Sequence, residues 1–140
     1  MFLKSIRLES LYVLGILIVT MSLLSPYFLS ISNFLNILLA TSVIGILAIG
    51  STFVISSAGL DLSVGSVMGL AGVAGAVVMN QLELNWIFGI LACIIAGGIA
   101  GFFNGQLVTR AKIPAFIVTL GMLGVARGAA LLLCDGKPIY

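Results

Sequence analysis

The sequence predicts an all-α fold, a polytopic transmembrane bundle of about five helices with its N-terminus in the cytoplasm. Apolar residues make up 61% of the 140 residues and charged residues only 7%, whereas a soluble domain carries about 25% charged residues. The apolar residues also fall in runs of about 20, the length at which a helix crosses the hydrocarbon core of a bilayer. Lipid is therefore expected to surround most of the chain.

The first span is predicted at residues 11–29. Lys4 and Arg7 precede it as in a signal peptide. Because the apolar run is long and no small-x-small cleavage site follows, the span is predicted to be retained. Residues 31–36 are polar and predict a short connection, after which the second span is predicted at residues 37–56.

Three further spans are predicted after a break at residues 57–63. Trp86 stands where an interfacial aromatic residue belongs, and Pro114 suits the first turn of a helix. The predicted spans cover residues 64–79, 86–108 and 113–133, and residues 1–140 are taken together as one membrane domain.

The positive charges predict the orientation of the chain. If the N-terminus lies inside and five spans alternate, the cytoplasmic side holds Lys4, Arg7, Arg110 and Lys112, whereas Glu83 and Lys137 lie outside. Cytoplasmic loops of membrane proteins carry an excess of Lys and Arg, so this orientation is favoured.

The composition argues against several classes of function. The chain has no His, which removes most metal sites and most acid–base chemistry at neutral pH. An enzyme within the membrane would need a nucleophile with a base or paired carboxylates, and the spans offer one isolated Asp. Cys93 and Cys134 stand singly, without the spacing of a zinc or redox pair. The net charge of +2 is scattered, so no nucleic-acid partner is expected. We expect no enzymatic activity, no cofactor and no metal.

Small residues recur every four positions on one face of the fourth span, at Gly89, Cys93, Gly97, Gly101 and Gly105. This spacing lets helix backbones approach closely in lipid. We therefore predict that this face packs against another helix, and that packing rather than a glycine-lined pore explains the pattern.

Asp61 is a candidate functional residue with two open interpretations. A carboxylate within a membrane protein usually faces a cavity or a partner, which would give Asp61 a direct role in transport. Alternatively, Asp61 lies in a short cytoplasmic turn and caps the third helix, accepting hydrogen bonds from the backbone N–H of Ser63 or Val64.

Asn104 and Arg127 are the other candidate residues of a polar path. Asn104 lies near the inner end of the fourth span, where an interhelical hydrogen bond is the simplest role. Arg127 lies in the fifth span, where a central Arg costs about 2.5 to 3.5 kcal/mol on insertion scales. We expect protein to shelter Arg127, or its side chain to reach the outer interface. Lining a polar path and pairing with a carboxylate or with backbone carbonyls both remain open.

Short segments along the chain resemble one family in sequence and in order. They are Asn33–Ile37, Gly59–Ser66, Asn104–Val108, Ile113–Gly121, Ala126–Ala129 and Gly136–Ile139. Together they resemble the permease subunits of bacterial monosaccharide ABC importers, of the ribose, xylose and autoinducer-2 type. The resemblance runs from about Leu29 to the end of the chain.

The resemblance implies a multi-pass protein of the bacterial inner membrane that forms part of the path of a monosaccharide or similar small polar solute. It also implies three protein partners, namely a cytoplasmic ABC ATPase, a periplasmic sugar-binding protein and a second permease copy in a homo- or heterodimer. ATP hydrolysis would belong to the ATPase, and this chain has no G-x-x-x-x-G-K-[ST] phosphate-binding motif.

One departure from the family concerns length. Family members continue with further spans and with a cytoplasmic loop that docks on the ATPase, and no segment here corresponds to that loop. The chain therefore resembles the N-terminal part of such a permease. Two interpretations stay open, a transporter subunit and a truncated membrane fragment that does not transport, and we expect no sugar import by this chain alone.

We predict that reporter fusions after Lys112 and Tyr140 report cytoplasm and periplasm, respectively. The reason is that the Arg110–Lys112 charges stay inside while the fifth span carries the chain across the membrane. Alkaline phosphatase and green fluorescent protein fusions measure the two locations. Finding both sites in one compartment would contradict the five-span topology.

Overall fold

A computed structural model describes residues 8–139, and side chains from residue 10 onward. Within this range the chain is all helical, as predicted. The five helices are α1 (Leu8–Leu24), α2 (Ile31–Ser56), α3 (Val64–Asn80), α4 (Trp86–Thr109) and α5 (Ala115–Leu133). By length and composition, α2, α4 and α5 are long and apolar enough to cross a membrane, whereas α1 and α3 have 17 residues each. The chain divides into two compact units, residues 1–46 and 47–140, which are described separately.

In the first unit, the break between the first two helices comes earlier than predicted. α1 ends at Leu24 instead of continuing to residue 29, because Ser25 precedes Pro26 and a residue before proline is disfavoured in helical conformation. α2 then begins at Ile31, where the Ser30 Oγ accepts a hydrogen bond of 3.2 Å from the Asn33 N–H, the contact of an N-cap residue. The prediction of a polar connection at residues 31–36 was therefore wrong, since these residues form the first turns of α2.

In the second unit, α2 ends in a hydrogen-bonded turn. The Ala58 N–H donates to the Ile55 carbonyl at 2.9 Å, and the Gly59 N–H donates to the Val54 carbonyl at 3.0 Å. Ala58 has a φ of 58°, so the pair of bonds forms a Schellman motif around a left-handed residue. This turn directs the chain into the segment that precedes α3.

α3 packs against both α4 and α5 in this unit. α3 and α4 approach each other closely at two buried glycines, Gly75 and Gly89. A Cβ atom on Gly75 would lie 2.5 Å from the Cys93 Sγ and 3.1 Å from the Gly89 carbonyl oxygen. No room for a side chain exists there, and the two backbones are close because both residues lack one.

The helix packing predicted for the small-residue face of α4 is confirmed at the N-terminal end of that face. Gly89 and Cys93 both contact α3. Farther along, a Cβ on Gly97, Gly101 or Gly105 would have no described atom within 4 Å. Helix packing at that end of the face stays a prediction.

We predict that Gly75→Val destabilises the helical unit by about 1 to 3 kcal/mol, the usual cost of forcing extra volume into a close-packed contact. Gly72→Val is the matched control, since Gly72 lies in the same helix and has open space around its Cα. Unfolding of both variants by SDS titration from mild detergent, followed by far-ultraviolet circular dichroism, measures the difference. Equal midpoints would contradict the close α3–α4 approach.

Candidate functional site

The segment between α2 and α3, residues 57–63, is joined to α4 and α5 by side-chain hydrogen bonds. The Thr119 hydroxyl, in α5, lies 3.1 Å from the Leu60 carbonyl oxygen and 2.9 Å from the Ala115 carbonyl, and donates to this pair of acceptors. From α4, the Asn104 Nδ2 donates to the Ser63 Oγ at 3.1 Å. The segment is therefore fixed between two helices.

These bonds place the segment deeper than the turn that joins α4 to α5. Asn104 lies five residues before the last residue of α4, and Thr119 lies four residues after the first residue of α5. At 1.5 Å of rise per residue, the partner positions lie roughly 6 to 8 Å inside those helix ends. The segment at residues 57–63 is therefore recessed by more than one helical turn, in contrast to the simple turn expected from the sequence.

Asp61 closes a local turn at the start of α3. Its Oδ1 accepts hydrogen bonds of 2.7 Å from both the backbone N–H and the hydroxyl of Ser63. The bond from the Ser63 N–H is the one expected of a capping Asp61, although the residue at the cap position is Ser63 itself, whose side chain makes no cap bond. An aspartate that bonds the backbone two residues later stabilises a turn before a helix. A direct role of Asp61 in transport stays a prediction.

Asn104 makes the interhelical hydrogen bond that the sequence suggests. The amide donates to Ser63, and Ser63 donates in turn to Asp61, so the three side chains form one chain of hydrogen bonds. The Asn104 Oδ1 is buried and has no partner among the described residues. A buried acceptor left without a donor costs about 1 to 3 kcal/mol.

Ser63 and Thr119 complete the site and were not singled out from the sequence. Within residues 10–139, the buried polar residues are Ser63, Asn104 and Thr119, and all hold the recessed segment. A hydroxyl in a helix normally bonds its own backbone, as Thr52 does to Ala48. Hydropathy therefore does not distinguish Ser63 and Thr119 from other hydroxyl residues. The only signal was their position within the segments Gly59–Ser66 and Ile113–Gly121 that carry the family resemblance.

Arg127 does not belong to this cluster. It is exposed in the isolated chain and lies on α5, after the completely buried Ala126. It borders a separate groove together with Ser66, Gly69, Leu123 and Ala130. The structure thus brings together two of the three predicted residues, Asp61 and Asn104. The sheltering of Arg127 stays a prediction.

A groove opens beside the Asp61–Ser63–Asn104 cluster. Its volume is about 370 Å³. Its walls come from α2, α3 and α4, and its polar end is formed by Asp61, Ser63 and Asn104. The other lining residues are Leu47, Val64, Val67, Met68, Ala71, Gly97 and Gly101. The groove therefore joins one acceptor-rich end to an apolar wall.

Comparison with known proteins places most of this chain in one family. The sequence model described as "Branched-chain amino acid transport system / permease component" matches residues 33–137. The ribose import permease protein of Haemophilus influenzae is 43% identical over 134 residues, which are 96% of this chain and 41% of that protein. The ribose import permease protein of Escherichia coli K12 is 39% identical over 94% of this chain and 40% of its own length.

A third relative is named after a different solute. The autoinducer 2 import system permease protein of Yersinia pseudotuberculosis is 40% identical over 79% of this chain and 31% of its own length. The chain thus spans about 40% of the length of its ribose permease relatives. No solved structure matches the chain.

We predict that Ser63 and Asn104 are energetically coupled. Ser63→Ala removes a bond to Asp61 and leaves the Asn104 amide without its acceptor, so a loss of about 1 to 3 kcal/mol is expected. In the Asn104→Leu background the same change is expected to cost less, because there is no amide to leave unpaired. The four proteins of this double-mutant cycle are compared by SDS titration in detergent.

Thr52→Ala is the control for this cycle, because Thr52 bonds only its own helix. It is expected to have the same small effect in the wild-type and the Asn104→Leu backgrounds. Additive losses for Ser63→Ala and Asn104→Leu would contradict the coupling.

Proposed function

Since this chain belongs to the family of membrane permease components described above, we propose that it forms part of the translocation path of an ATP-driven importer. The proposed solute is a monosaccharide or a similar small polar molecule. The family description names branched-chain amino acid transport. We favour a sugar-like solute because relatives at about 40% identity are a ribose permease and an autoinducer 2 permease.

The observation that carries the proposal is the polar cluster inside an apolar helical unit. Asp61, Ser63 and Asn104 are bonded to one another beside an open groove. Polar and ionisable groups at membrane depth are costly, and they usually mark a substrate path or a partner contact. A recessed non-helical segment is likewise tolerated within a membrane where protein or a water-filled cavity surrounds it.

The proposal includes a topology and a location. All five helices cross the inner membrane of a bacterium, with the N-terminus in the cytoplasm. α1 and α3 are the shortest, at 17 residues each, which is the lower end of the length that spans a bilayer. The apolar side chains exposed along α1 and α2, such as Leu14, Ile16 and Ile44, face lipid or helices of the partner permease.

The proposed partners are those of an ABC importer. A cytoplasmic ATPase hydrolyses ATP, a periplasmic binding protein delivers the solute, and a second permease copy completes the path as a homo- or heterodimer. Alternating access requires movement of the ATPase to reach the membrane helices. This chain contributes helices and no ATP-binding motif to that assembly.

A chimeric permease tests the proposal. The region of the E. coli ribose permease that matches this chain is replaced by the chain, and the chimera is expressed in a strain that lacks the native permease. We expect uptake of radiolabelled ribose above that of the empty strain, and co-purification of the ATPase.

Two further measurements make this experiment decisive. A chimera carrying Gly72→Val is the matched control for expression, since Gly72 has open space around it. A chimera that inserts into the membrane at normal levels, but neither takes up ribose nor retains the ATPase, would contradict the proposed function.

A further inference from the structure

We propose that the groove beside Asp61 is a hydrated subsite that binds neighbouring hydroxyl groups of an uncharged polyol. This inference rests on the proposed function, because it assigns residues to part of the translocation path. Its content is a specific set of acceptors, Asp61 and Asn104, and a specific preference for uncharged over anionic solutes.

The size of the groove suits a small solute. At about 370 Å³, it falls at the lower end of the range of ligand pockets, which is about 300 to 1,000 Å³. Gly97 and Gly101 form part of its wall, and a Cβ on either would meet open space. The subsite and the helix packing predicted for this face are therefore alternatives at Gly97 and Gly101, and the labelling experiment below separates them.

The hydrogen-bonding groups left over at the polar end are acceptors. One oxygen of Asp61, Oδ1, is occupied by Ser63, whereas Oδ2 accepts no hydrogen bond from the described residues. Asn104 Oδ1, at the same end of the groove, is buried without a partner among the described residues, so it accepts a hydrogen bond from a ligand only after a side-chain movement that exposes it. The Ser63 hydroxyl proton is already donated to Asp61. The unused groups at this end of the groove are thus hydrogen-bond acceptors and not donors. They favour a ligand that carries many hydrogen-bond donors.

Charge narrows the class of ligand further. Among the described residues that line the groove, Asp61 is the only ionisable one, and none is Lys, Arg or His. A carboxylate at the binding end repels phosphate and carboxylate groups. The groove is therefore expected to accept a free sugar or polyol and to reject its phosphorylated or acidic derivatives.

The opposite wall is suited to the apolar side of such a solute. Val67 and Met68 of α3 and Leu47 of α2 line it. A sugar carries hydroxyls on some faces and C–H groups on others, and ligand sites combine an apolar lining with a few placed polar groups. Hydroxyls would meet Asp61 and Asn104 while C–H groups contact Met68.

Thiol labelling of the full chain tests this assignment. The chain is reconstituted in nanodiscs with its two native cysteines, Cys93 and Cys134, changed to Ala, and Met68→Cys is introduced to report on the groove. Phe102→Cys is the matched control, because Phe102 is exposed, lies beside Gly101 and does not line the groove. The probe is a charged, water-soluble maleimide, applied with and without D-ribose.

We expect the maleimide to label Met68→Cys and to leave Phe102→Cys unlabelled. Ribose at twice its dissociation constant is expected to slow labelling of Met68→Cys about threefold, since the free fraction falls as 1/(1 + [L]/Kd). Ribose 5-phosphate at the same concentration is expected to give no protection. Asp61→Asn keeps an oxygen for Ser63 but replaces the free acceptor by a donor, so it is expected to keep labelling and lose protection.

Three outcomes would overturn the proposal. Labelling of Met68→Cys by a lipid-phase reagent alone would show that the groove faces lipid or another helix. Aqueous labelling without protection by ribose, xylose or another polyol would show a hydrated groove that is not a subsite. Equal protection by ribose 5-phosphate would show that Asp61 does not exclude anionic solutes from the groove. Each readout is independent of ATPase co-purification, so failure of the subsite and failure of the proposed function are distinguishable.

Discussion

The structure of the second unit depends on one constraint: a stretch of non-helical backbone recessed between helices must find its hydrogen-bond partners within the protein. Between α2 and α3 the chain leaves the helical conformation while still inside the ends of α4 and α5. The buried polar side chains at residues 10–139, Ser63, Asn104 and Thr119, are all used there. Polar groups in this unit are therefore concentrated where the backbone requires them, and the rest of the interior is left to small and apolar residues.

This arrangement determines how α3 is held. At its start, Ser63 is bonded to Asn104 of α4, and near its other end Gly75 meets the backbone of Gly89. The first contact is directional and polar, whereas the second depends only on the absence of side chains. Between the two contacts lies the groove that Gly97 and Gly101 border. α3 is thus attached to α4 on both sides of this open space.

Most of the helical architecture was predictable from hydropathy, because apolar runs long enough to cross a membrane are easily recognised in a sequence. The predictions failed at residues 25–36, where Pro26 and the cap at Ser30 decide the boundaries and the mean polarity of the segment does not. Charged and amide residues stand out in an apolar sequence, so Asp61, Asn104 and Arg127 were singled out as candidates. The grouping of Asp61 with Asn104 was not predictable, because it depends on a recess of more than one helical turn that periodicity does not reveal. The side chain of Thr119 was missed because a hydroxyl in a helix is usually satisfied by its own backbone, and that of Ser63 because a serine before a helix is usually a simple cap residue.

The two contacts of α3 also restrict the length of that helix. Each residue of an α-helix turns the chain by about 100°, so the twelve positions from Ser63 to Gly75 fix the direction in which Gly75 points once Ser63 is bonded to α4. A single inserted residue between them would turn the glycine away from α4 and bring a neighbouring side chain to the close contact. Evolution can therefore vary the side chains on the outer faces of α3 widely, but it can hardly change the number of residues between its two attachments.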